Sequence, residues 1–142
     1  MNNYFTFLLR LALGVAFLSA VADRFGIWGA PGDALVTWGN WDNFVQYTSE
    51  LNFNASHTIA NILGIIATVA EIVLGVFLVV GYKIRTSAFL SGLLILAFGI
   101  GMSLNAHIKY AFDYSVFSAS FGAFLLSTIP TSKWSLDNVL RR

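Results

Sequence analysis

Long apolar runs alternate with short polar segments along this chain. Four runs stand out, at residues 4–22, 58–80, 87–106 and 116–129. Each is close to the roughly 20 helical residues, rising about 1.5 Å apiece, that cross about 30 Å of hydrocarbon. The last is the shortest and reaches span length only when extended to 114–130. The pattern predicts an all-α, polytopic membrane protein, a bundle of four transmembrane helices. No repeat, low-complexity tract or linker divides it, so one membrane domain over 1–142 is expected.

The connection between the first two runs carries a different pattern. Gly29, Pro31 and Gly32 break it early. Beyond them Trp41, Phe44, Val45, Thr48 and Leu51 share one helical face, while Asp42, Asn43, Gln46 and Glu50 point elsewhere. This predicts a short amphipathic interfacial helix lying along the membrane surface. Trp28, Trp38 and Trp41 suit the headgroup level, either as a belt anchor or as a lid over a ligand. Small residues predict the faces that meet inside the bundle: Ala67, next to Glu71, and Gly75 on span two, Ala88 and Gly92 on span three, Ala119 and Ala123 on span four.

Composition agrees with the pattern. The 142 residues are 57% hydrophobic and 11% charged, with a mean hydropathy of +0.73, against about 25% charged in soluble domains. Lipid bilayer is therefore the expected surroundings. A net charge of +1 without a basic cluster argues against nucleic acid. With no cysteine, the chain carries no thiolate metal site and no thiol redox cycle. Ala20, Val21 and Ala22 are the nearest approach to a signal cleavage site, and the first helix is expected to stay. Lys83, Arg85, Lys133, Arg141 and Arg142 outnumber Arg24 and Lys109 across the bundle, which predicts both termini in the cytoplasm.

Charges inside hydrocarbon cost at least about 2.5–3.5 kcal/mol each and mark sites. Arg10 and Glu71 are the two, thirteen residues below Asp23 and fourteen below His57. Their matching depth predicts an Arg10–Glu71 pair, either a structural clamp or a centre that binds a polar head group or moves a proton. A looser set, His57, His107, Arg24, Asp23, Lys109, Asp113 and Tyr114, gathers at the other helix ends. Two boundary histidines are poorly placed for haem, and no metal site is expected. Motifs of hydrolases, metalloproteases and phosphate-binding loops are missing, so no self-sufficient enzyme is indicated. The triplet Asn54, Ala55, Ser56 matches a glycosylation acceptor, a motif too short to weigh.

Taken in order, Arg-Leu-Ala-Leu-Gly at 10–14, Ala-Asp-Arg-Phe at 22–25 and Ala-Glu-Ile-Val-Leu-Gly at 70–75, followed by Gly81, Arg85, Thr86, Ala88 and His107, resemble the DoxX family of small bacterial membrane proteins. The resemblance implies a four-helix bundle in the bacterial inner membrane and a link to quinone-dependent oxidoreductase subunits. It carries over Arg10, Glu71 and Arg85; beside it, Arg85, His57, His107 and Arg24 are the lesser ligand-binding candidates. On that reading Arg10 and Glu71 are the catalytic polar centre, quinone is the cofactor, and electrons come from a redox partner protein. The competing expectation is a noncatalytic scaffold, chaperone or cargo-binding protein. Homo-oligomerisation is left open.

Overall fold

The computed structural model describes residues 3–129 and 134–140. Its elements are α1 (Asn3–Arg24), α2 (Trp41–Leu51), α3 (His57–Val80), α4 (Ile84–Met102), a π-helical turn (Ser103–His107), α5 (Ile108–Asp113), α6 (Val116–Ser127) and α7 (Leu136–Leu140). Helices α1 and α3, and the continuous run Ile84–Asp113, are each long and apolar enough to cross a membrane; α6 is a shorter apolar helix. Span three thus starts earlier than the sequence pattern indicates and ends later. Pro130, at the end of the extended fourth run, lies outside the described residues, as do Lys133, Arg141 and Arg142 of the charge argument.

The core is drawn from all four helices: Leu13 and Phe17 of α1, Leu74 and Leu78 of α3, Ile84, Ala88 and Ile95 of α4, and Ala123 and Leu126 of α6. Ile62, Ile66, Val69 and Val73 of α3 stay exposed, the surface a bilayer accepts. Small residues set the helix spacing. Gly92 admits the Phe124 ring, which a Cβ there would meet at 2.7 Å. Ser120 Oγ bonds the Gly92 carbonyl at 2.8 Å, joining α4 to α6. At the α1–α3 crossing a Cβ on Gly14 would lie 2.8 Å from the Gly75 carbonyl oxygen, so the two backbones touch.

The two ends of the bundle differ. At one, called here the α7 end, Gly81 closes α3 in the left-handed region (φ 76°). The Asp137 carboxylate accepts from Lys83 N at 2.7 Å and Ile84 N at 2.9 Å, capping α4. At the other, the α2 end, α2 lies across α1 and α3. Asn40 caps it, accepting from Asn43 N at 2.8 Å. Trp41 Nε1 donates to Asn61 of α3 at 2.8 Å, and Phe44 fills the notch that Gly64 leaves in α3. Asn105, inside the π turn, donates to the Leu51 carbonyl at 2.8 Å and ties down the far end of α2. The apolar face of α2 therefore packs on protein: Phe44, Val45 and Thr48 are all buried. The amphipathic helix expected between the first two spans is thus present over Trp41–Leu51, its apolar face turned to the bundle.

A valine at Gly14 should force α1 and α3 apart and cost about 1–3 kcal/mol. Thermal melting in detergent should show Gly14→Val melting below the parent. Gly101→Ala, whose Cβ would meet only Leu51 at 3.4 Å or more, should melt no lower.

Candidate functional site

Glu71 pairs with Arg24, the last residue of α1, and not with Arg10. Arg24 Nη2 donates to Glu71 Oε1 at 2.9 Å, Nη1 lies 2.6 Å from Oε2, and Nη1 also donates to Thr68 Oγ1 at 2.8 Å. The Phe44 ring of α2 lies 3.9 Å below the guanidinium carbon and Trp38 5.2 Å from it. Arg24 is 2% exposed and Glu71 1%. The result is a buried two-point ion pair roofed by aromatic rings.

The helix crossing explains the exchange of partners. Gly14 lies nine residues below Asp23, while Gly75 lies eighteen below His57. Helix α3 therefore overshoots α1 at the α2 end by about nine residues, or about 14 Å. Glu71 sits on the α2 side of the crossing and Arg10 on the α7 side, about 12 Å apart along the axis. Side chains also lean toward their own helix N-terminus. On antiparallel α1 and α3 this brings Arg24 and Glu71 together and carries Arg10 away. Arg10 is buried at the α7 end, where Nη2 donates to the Trp134 carbonyl at 2.6 Å and the guanidinium lies 5.2 Å from the Phe7 ring.

The other candidates are dispersed. Arg85 is exposed at the α7 end, its Nε 3.4 Å from the Ser127 carbonyl. His57 opens α3 and is exposed. His107, also exposed, closes the π turn, its Nδ1 accepting from Lys109 N at 3.1 Å. Lys109 pairs with Asp113 one helical turn on, at the surface. Among the described residues no group of three or more side chains is gathered to hold a metal. Asp23 is committed to the loop, its Oδ2 accepting from Thr37 N and Trp38 N, both at 3.0 Å. On α2, burial, then Tyr114 and Glu50, push the Tyr47 phenol above its ordinary value. It thus stays protonated at neutral pH.

Thr68 and Phe44, which complete the Arg24 site, did not register in the sequence as site residues. Thr68 had a signal: it is a polar residue one turn before Glu71 in an apolar run.

Against this geometry, a family model described as methylamine utilisation protein MauE matches residues 2–113, more than half of the chain. The chain belongs to the MauE family. No curated protein and no solved structure matches it. The DoxX resemblance is thereby corrected, since the matching family is MauE. Several of the residues that carried the resemblance pack α1 on α3: Gly14 against Gly75, and Arg24 on Glu71. They report a helix contact that unrelated bundles can share, and so could not discriminate a family. The link to quinone-dependent subunits rested on that resemblance and loses its support with it.

Removing one partner of a buried pair strands the other's charge, at about 3–5 kcal/mol, whereas replacing both with apolar residues is often neutral or stabilising. Arg24→Met and Glu71→Met should each lower the melting temperature in detergent. The double variant should regain most of the loss; a double variant as unstable as the singles combined would show that the two do not act as a pair.

Proposed function

We propose that this protein is a noncatalytic membrane accessory component of an amine-utilisation system, in which the Arg24–Glu71 pair is a strut and the α2 end is a platform for a partner protein. The closure of the pair carries this reading. Both carboxylate oxygens of Glu71 face the guanidinium, and α2 covers it with Phe44. A centre that binds a head group or relays protons needs an open approach; this pair is sealed from solvent where α1, α3 and α2 meet. The family description supplies the physiological setting. Basic Lys83 and Arg85 at the α7 end favour placing that end, with both termini, in the bacterial cytoplasm. The α2 end then faces the outside, where a secreted partner would meet it.

The test is genetic complementation. Deletion of the gene should abolish growth on methylamine while sparing growth on a richer amine-free medium. The Arg24→Met/Glu71→Met double variant, expressed at parental level, should restore growth as the parent does. A double variant that is stably inserted yet fails to complement, or purified protein holding stoichiometric quinone that Glu71→Gln releases, would overturn the strut reading.

A further inference from the structure

We propose that the seam between α4 and α6 at the α7 end binds an anionic phospholipid, its phosphate held by Arg85 and Lys83 and its acyl chains laid along the two helices. The seam is set by Gly92, which lets the Phe124 ring of α6 reach the α4 backbone. Phe124 also meets Phe89 and Phe121, at 5.6 and 6.2 Å between ring centroids. Beside these contacts Phe89 and Leu93 of α4, and Phe121 and Leu125 of α6, remain 45–62% exposed.

Arg85 stands at the head of the seam. It lies seven residues before Gly92, two helical turns, and so on the α4 face that meets α6. Its Nε is 3.4 Å from the carbonyl of Ser127, the last residue of α6, so the side chain reaches from one helix to the other. It is exposed, and its two Nη groups have no partner among the described residues. Lys83 is exposed as well; its ammonium lies 5.5 Å from the Tyr82 ring and pairs with no carboxylate among the described residues. Asp137 is the one acid at this end of the chain, and its two oxygens already accept from the N–H groups of Lys83 and Ile84. Three cations, Arg10, Lys83 and Arg85, against that single acid leave a charge of +2 here among the described residues.

Depth and charge together select the occupant. Arg85 lies in the first turn of a helix long and apolar enough to cross a membrane, the level at which lipid phosphates lie. A guanidinium with both Nη groups uncommitted matches the paired oxygens of a phosphate. Over the next two turns the exposed side chains of both helices are apolar, which suits acyl chains and offers a soluble anion nothing. A zwitterionic headgroup brings its own ammonium to its phosphate. Two cations that lack a counter-ion therefore favour a headgroup of net negative charge. The site uses neither the Arg24–Glu71 pair nor the α2 end, so it stands or falls apart from the strut reading.

The full chain in detergent is incubated with equal amounts of phosphatidylglycerol and phosphatidylcholine of matched acyl chains, and the retained lipid is read by native mass spectrometry. Phosphatidylglycerol should be retained in preference. Arg85→Gln and Lys83→Gln should each reduce that preference about fivefold, the effect of one basic residue at an anionic lipid surface. Lys109→Gln, which removes a cation paired with Asp113 at the opposite end, should leave it unchanged. Excess inorganic phosphate should not displace the lipid. If one of the two seam variants fails to fold, the other decides alone. Equal retention of the two lipids, an undiminished preference in the folded seam variants, or an equal loss in Lys109→Gln would overturn the site. Displacement by inorganic phosphate would overturn it too, by assigning the cations to a free anion.

Discussion

One ion pair in an apolar medium organises the α2 end of this molecule. Arg24 and Glu71 cannot be left bare in hydrocarbon, where each would cost several kcal/mol. The surrounding structure can be understood as the means of enclosing them. Thr68 takes a second guanidinium hydrogen, and Phe44 lies against its face. Gly64 makes room for Phe44, and Asn61 and Asn105 hold the two ends of the helix that delivers it. The loop before α2 is drawn in by Asp23, one residue from Arg24. A short helix that water alone would barely stabilise is thereby fastened at both ends.

The α7 end solves the same problem by backbone capping. Arg10 donates a hydrogen bond to the main-chain carbonyl of Trp134, and Asp137 supplies the acceptor that the first N–H groups of α4 lack. Gly81 serves two needs there. It ends α3 in a left-handed turn, and a Cβ on it would come within 2.7 Å of both Arg10 Nη1 and Ser135. Helix ends near a bilayer cannot rely on bulk water for their unpaired groups, so the segment around Asp137 acts as part of the bundle.

Much of this was legible in the residues. Apolar run length placed four helices, helical spacing placed α2 within a residue or two, and hydrocarbon cost singled out Glu71. Small residues at 88, 92 and 123 marked faces that do meet, with Ala88 and Ala123 fully buried. The partner of Glu71 was misread for a geometric reason. Depth was counted from helix ends assumed level, and the lean of side chains toward their N-termini was left out. Nothing short of the Gly14–Gly75 contact fixes the stagger of α1 against α3. The burial of α2 was hidden as well, because an apolar helix face looks the same whether it meets lipid or Phe-sized notches in protein.

The π turn at Ser103–His107 has a further consequence. A helical residue advances the side-chain direction by about 100°, and a π turn accommodates one residue more than an α turn. The turn is thus a phase shifter: α4 aims Ala88 and Ile95 at the bundle core, and the turn aims Asn105 at the end of α2 before the extended backbone of His107 opens α5. Losing a single residue there would turn Asn105 away from the Leu51 carbonyl and release the end of α2. Chain length in this stretch is consequently constrained as tightly as residue identity, in a segment that lies in the interior of an apparent transmembrane helix and not in a loop.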